Sequence, residues 1–107
     1  MGHYLIQAAY TPEAWATMSK NPQDRGELVR PAVEALGGRL ESFYMAFGEY
    51  DIVAIAEFPS NEDAAAFAIG VAGAGALRSY KTTPLMAASE AIEAMRRSGG
   101  TGYNPPG

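Results

Sequence analysis

Phe43-Tyr44-Met45-Ala46-Phe47-Gly48-Glu49-Tyr50-Asp51-Ile52-Val53-Ala54-Ile55 lies at the centre of a chain of 107 residues. Two runs of aromatic and β-branched residues meet at a glycine, which is the pattern of a β-hairpin. The spacing predicts strands over Arg39 to Phe47 and Tyr50 to Phe58, joined by a tight turn at Gly48-Glu49. Asp51 follows the turn at once, so the one potentially reactive carboxylate of this segment stands at a strand mouth.

Upstream of the hairpin, His3 to Tyr10 reads as a strand stopped by Thr11-Pro12, where Thr caps a helix and Pro occupies its first turn. Trp15 and Met18 sit on this first helical piece, and Asn21-Pro22 repeats the cap-plus-proline signal. From Gln23, the residues Leu28, Val29, Ala32, Val33 and Leu36 follow helical spacing to Gly37-Gly38, with a kink expected at Pro31. Downstream, Ser60 or Asn61 opens a helix running to about Gly73, with Glu62 and Asp63 in its first turn. Leu77 to Thr83 reads as a fourth strand ended by Pro84, and Ser89 to Arg97 as a last short helix.

The resulting order, β-α-β-β-α-β plus a terminal helix, is the α+β ferredoxin-like arrangement. Right-handed crossovers then give a four-stranded antiparallel sheet in the order 4-1-3-2, with both crossover helices on one face. Residues 1–97 form a single domain in this reading, and the Gly- and Pro-rich segment 98–107 a flexible tail. The third strand is apolar on both faces: Val53 and Ile55 point one way, Ile52, Ala54, Ala56 and Phe58 the other. An antiparallel sheet with one solvated face alternates more cleanly. A second copy of the chain, packed sheet to sheet about a twofold axis, is the economical cover.

Composition narrows the function classes. Twelve acids against eight bases give a net charge of −4, which opposes binding to nucleic acid or an anionic membrane surface. The absence of cysteine removes disulfides, thiolate metal sites and a Cys nucleophile, and a single histidine, His3, leaves no His cluster for a metal. The longest run without charge, proline or polar side chains, Ala64 to Leu77, is shorter than the ~20 residues of a membrane span. No leader is visible before Tyr4-Leu5-Ile6, so the cytoplasm is the expected compartment.

Five segments together, Tyr10-Thr11-Pro12-Glu13, Asn21-Pro22 with Asp24-Arg25, Gly37-Gly38, Phe47-Gly48-Glu49-Tyr50-Asp51 and Lys81-Thr82-Thr83-Pro84-Leu85, resemble the GYD-domain family. That family is named for its Gly-x-Tyr-Asp type of turn, and the resemblance covers about Tyr4 to Met95. It implies a ferredoxin-like domain of the dimeric α/β-barrel type and no established activity. Ala87 and Ala88 depart from the pattern where a capping Thr or Ser is expected.

In the 4-1-3-2 sheet, strand one ends where strand three begins, so Tyr10 and Asp51 are expected to be neighbours, with Arg78 starting from the same edge. An acid beside a phenol at the mouth of an apolar cavity can serve as a general base or acid. The competing reading has Asp51 accepting backbone N–H bonds in the hairpin. Arg25 can clamp a carboxylate or pair with Asp24 or Glu27 at the surface. Lys81 and Thr82 can hold an anion, or serve as edge protection and ordinary strand residues. Gly70-Val71-Ala72-Gly73-Ala74-Gly75 ends a helix instead of opening one, so it is not a phosphate loop, and close helix packing plus a C-cap account for it. His3 can serve as a haem ligand only if it faces a large pocket; solvent exposure is the ordinary reading.

The residues therefore point to a homodimeric small-molecule-binding domain or cofactor-independent enzyme. Tyr10 and Asp51 are its candidate catalytic pair, and Arg25, Arg78, Lys81 and Thr82 its candidate ligand contacts. The alternative is a non-catalytic oligomerisation or regulatory module. No cofactor or metal is expected in either case.

Overall fold

Thr11 ends the first strand by turning its hydroxyl onto the Ala14 N–H, and Pro12, which has no N–H to satisfy, begins the helix. From such local signals the computed structural model, which describes residues 1–107, builds four strands and four helices. They run β1 (Gly2–Tyr10), α1 (Pro12–Lys20), α2 (Arg25–Ala35), β2 (Arg39–Met45), β3 (Ile52–Phe58), α3 (Asn61–Ala72), β4 (Leu77–Leu85) and α4 (Ala88–Ser98). All pairings are antiparallel and the order is β2-β3-β1-β4, which is 4-1-3-2 counted from the other edge. The fold is α+β and ferredoxin-like.

Several boundaries differ from the sequence expectation, each for a local reason. Asn21 closes α1, donating its N–H to the Met18 carbonyl, and it is Asp24 whose carboxylate caps α2 by accepting the Glu27 N–H. Helix α2 continues through Pro31 to Ala35. The hairpin turn is not tight: pairing of β2 with β3 stops at Met45 and Ile52, and residues 46–51 form the loop. The main chain of Asp51 is shared, its carbonyl accepting the Ala46 N–H across the loop and its N–H donating to the Ala8 carbonyl of β1. Strand β4 runs on to Leu85 past Pro84, which an edge strand tolerates because one side of its backbone has no ladder to complete. At α4 the missing hydroxyl cap is replaced by Glu90, whose carboxylate accepts the Ala87 N–H.

Alternation along β1 and β3 sends Tyr4, Ile6, Ala8 and Tyr10, and Ile52, Ala54, Ala56 and Phe58, toward α2 and α3, where all are buried with Val33, Leu40, Ala64 and Phe67. Phe58 sits at the middle, edge-on to Tyr4 at 5.9 Å and tilted against Phe67 at 5.6 Å. The alanines opposite let the helices approach. Gly38 is forced by the same closeness: a Cβ there would lie 2.5 Å from the Glu57 carbonyl oxygen.

The other face of the sheet carries His3, Leu5, Gln7 and Ala9 of β1 beside Val53, Ile55 and Glu57 of β3, with Lys81 opposite Gln7. No helix of the chain lies over it. Helix α4 buries none of its residues, and Leu85, Met86, Ile92 and Met95 remain exposed along it and its approach. The Cα radius of gyration, 17.2 Å, exceeds the ~13 Å of a rounded domain of about 100 residues. The excess reflects α4 and the exposed, irregular segment 99–107.

Candidate functional site

Tyr10 closes β1, and Asp51 precedes β3 at the same edge of the sheet. The Asp51 carboxylate is buried and accepts the Tyr10 N–H through Oδ2 at 2.9 Å. The Asp51 carbonyl accepts the Ala46 N–H at 2.7 Å, and its own N–H donates to Ala8 at 2.8 Å. One residue thus ties the 46–51 loop to the end of β1 with both its side chain and its main chain. The two expected partners are brought together, and their contact is carboxylate to backbone. The Tyr10 ring is buried and packs edge-on to Trp15 at 5.3 Å.

Beyond Tyr10 the surface opens. Helices α2 and α3 diverge to leave a groove of about 390 Å³, walled chiefly by Leu28, Val29 and Ala32 of α2 and by Ala66, Gly70 and Val71 of α3. Tyr10, Ile52 and Leu77 form its floor and end. Beneath it an entirely apolar gap of about 30 Å³, room for roughly one water, lies between the sheet and the helices. The expectation that Gly70 serves close helix packing is corrected here. A Cβ at Gly70 would meet nothing within 4 Å, so the glycine leaves space; at Gly73, where the backbone N–H reaches the Ile69 carbonyl, the cap reading holds. The signal in the sequence was the i, i+4 series Ala66, Gly70, Ala74, a stripe of small side chains facing the larger residues of α2.

Arg25 lies at one end of this groove and also lines a second, more polar cleft of about 380 Å³ with Thr11, Glu13 and Thr17 of the β1–α1 corner. Its Nε is buried and has no hydrogen-bond partner. Arg30, the other arginine of α2, is fully engaged, donating to the Leu40 carbonyl and the Glu27 carboxylate. Neither Asp24 nor Glu27 takes up Arg25, because each already has a partner within α2.

The remaining candidates fall elsewhere. Arg78 is exposed and reaches the Glu49 carbonyl, so it braces the 46–51 loop. Lys81 pairs with Gln7 in the sheet and points to the uncovered face, away from Arg25. Thr82 faces α3, and its hydroxyl is buried without a partner, as is that of Tyr80. Burial pushes the Tyr80 phenol up to about 12, with the nearby Thr82 hydroxyl drawing it the other way.

His3 lies on the uncovered face between Glu41 and Glu57, with Nδ1 3.1 Å and Nε2 3.5 Å from their carboxylates. These three groups have a donor set suited to a divalent cation, since one ligand atom from each lies within 4.8 Å of the others. Arg39 already bridges both carboxylates, however, so the oxygens a cation would need are engaged by a guanidinium as well as by His3. No pocket of a size to hold haem surrounds His3.

No helix is long and apolar enough to cross a membrane. A search of curated proteins found no match. Among solved structures, a protein titled FFRP-DM1 superposes with a TM-score of 0.50 at 15% identity, over 80% of this chain and 100% of its own. The hypothetical protein PHS023 from Pyrococcus horikoshii superposes at 0.51 with 16% identity, over 81% of this chain and 92% of its own. At such identities the likeness is one of fold alone. The family model of the GYD domain matches residues 4–95, a span that includes both walls of the groove, Arg25 and the Asp51 corner, and the chain therefore belongs to the GYD-domain family.

Proposed function

We propose that this protein is a homo-oligomeric small-molecule-binding domain whose ligand enters between α2 and α3. The observation that carries the reading is the groove of about 390 Å³ with apolar walls and one arginine at its end. A concave, mostly apolar site with few polar groups is what a small organic ligand requires. In this reading Tyr10 lies at the floor of the site, and Asp51, outside its lining, holds the 46–51 loop against β1 rather than moving protons. Lys81 and Thr82 lie outside the groove.

Association rests on the uncovered sheet face, where Leu5, Val53 and Ile55 stand together without a helix over them. A second copy covers such a face with the least new structure, giving a dimeric α/β-barrel arrangement. The exposed Leu85, Met86, Ile92 and Met95 favour a second reading, a non-catalytic assembly module in which α4 is the main device.

Chemical-shift mapping with a library of small aromatic and aliphatic fragments tests the first reading. Shifts clustered on residues 25–36 and 66–77, and abolished by Gly70→Leu, are the expected result. That variant adds a side chain where a Cβ meets no atom within 4 Å, so the fold is retained while the groove is filled. An absence of clustered shifts, together with a stable oligomer dependent on α4, would leave the assembly module as the function.

A further inference from the structure

Taking the groove as the binding site, we infer that its ligand is a small organic anion, a carboxylate with an aryl or short aliphatic body, and that Arg25 is its anchor. The inference rests on three features of Arg25 that belong together only if something negatively charged arrives.

The first is the unfilled valence of its side chain. A guanidinium has five N–H donors in a planar fork, and its Nε–H is buried with no acceptor in the chain. Buried donors are ordinarily satisfied, and leaving one bare costs free energy that an acceptor, reached by a small shift of the Arg25 side chain into the groove, would recover. The second is the absence of a competing carboxylate. The side chains of Asp24 and Glu27, the nearest acids in sequence, turn to the α2 cap and to Arg30, and neither forms an ion pair with Arg25. The remaining acid beside it, Glu13, lines the polar cleft on the α1 side and forms no ion pair with Arg25.

The third is position. Arg25 is shared by the apolar groove and the polar cleft, with Ala74 and Ala76 as the other residues common to both. A molecule lying along the groove with its charged end at Arg25 keeps its body against Leu28, Ala32 and Val71 and its carboxylate at the watered boundary. That placement avoids the desolvation cost of carrying a charge into the apolar part. A bidentate pair between guanidinium and carboxylate matches planar geometry on both sides and distinguishes a carboxylate from a neutral amide of the same shape. The size of the groove suits a body of one ring or a short chain.

Phenylacetate and its neutral isostere phenylacetamide are the probes, titrated into the full chain and followed by ¹H–¹⁵N chemical shifts of wild type, Arg25→Gln and Gly70→Leu. The expected result is that phenylacetate shifts residues 25–36 and 66–77, that phenylacetamide binds at least about tenfold more weakly, and that Arg25→Gln loses this preference. Gly70→Leu is expected to weaken both probes. Equal binding of the two probes, or a preference for phenylacetate unchanged in Arg25→Gln, overturns the anionic class while leaving the groove as the site. Failure of both probes to perturb the groove, with the same spectra in Gly70→Leu, overturns the groove reading itself, and this inference with it. The dispersed spectrum of each variant shows that it is folded.

Discussion

The Asp51 carboxylate receives the Tyr10 backbone N–H at 2.9 Å across 41 positions of sequence, and with the Asp51 N–H on the Ala8 carbonyl this bond fastens the β2–β3 loop to the end of β1. Removing the acceptor strands a buried donor, so Asp51→Ala is expected to cost about 1–3 kcal/mol. Asp51→Asn keeps an oxygen in place and is expected to cost clearly less. Urea midpoints of the two variants provide the measurement, and equal destabilisation by both would show that charge, not the acceptor, is what the site needs.

A methyl group at Gly38 is predicted to be among the more damaging small changes in the chain. The Cβ would stand 2.5 Å from the Glu57 carbonyl oxygen, 2.9 Å from Phe58 and 3.0 Å from Val33, so backbone must shift where α2 hands over to β2. Overpacking of this kind typically costs about 1–3 kcal/mol. Gly48→Ala, where the added Cβ meets nothing within 4 Å, is the matched control and is expected to lie within about 0.5 kcal/mol of wild type. Thermal melts of the pair compare them directly.

The sheet order was legible because strand one, the hairpin and strand four each announce themselves by period-two or β-branched runs bounded by glycine or proline. The helix caps at Thr11 and Ser60 were legible for the same local reason. What could not be read was where main-chain partners go. The hairpin residues look like a tight turn in isolation, whereas Asp51 closes a wider loop with its carbonyl on the Ala46 N–H and gives its own N–H to Ala8 of β1. Similarly, Asn21 and Asp24 both read as good N-caps, and it is Asn21 that closes α1 and Asp24 that caps α2. At the site, the neighbourhood of Tyr10 and Asp51 followed from topology, whereas the separation of Lys81 from Arg25 depends on Lys81 taking the sheet face opposite the helices, of which α2 carries Arg25. The groove was hidden because a glycine that leaves space and a glycine that permits contact look alike in sequence.

Tyr80 supplies a pH signature. Its phenol is pushed up to about 12 by burial, above the ordinary value of 10.0 it takes when unfolded. A group raised in the fold contributes stability that is intact below the unfolded value and is lost as pH rises toward the folded one. Stability is therefore expected to be flat with respect to Tyr80 up to about pH 10 and to fall between about 10 and 12. Tyr80→Phe should flatten that limb. At neutral pH the variant should lie close to wild type, since the hydroxyl it removes is buried with only the neighbouring Thr82 hydroxyl beside it. Urea denaturation at several pH values above 9, run on both proteins, gives the comparison.

The uncovered sheet face yields the last prediction. Val53 and Ile55 project from β3 beside Leu5 of β1, while His3, Glu41, Glu57 and Arg39 pair with one another at one end of the same face. An apolar centre bordered by side chains already paired with one another is suited to contact with a like surface, because the apolar residues are the ones left without a partner. Introducing a charge at the centre should act on association without touching the core, since Ile55 points away from Phe58 and Ala56. Ile55→Lys is expected to convert an oligomer to monomer in sedimentation velocity while leaving the far-ultraviolet spectrum unchanged. Deleting residues 88–107 removes α4 but leaves this face intact, so dissociation by Ile55→Lys with persistence of the truncated dimer assigns the contact to the sheet. The opposite outcome, a truncated monomer and an unaffected Ile55→Lys oligomer, assigns it to the exposed apolar residues of α4, Ile92 and Met95.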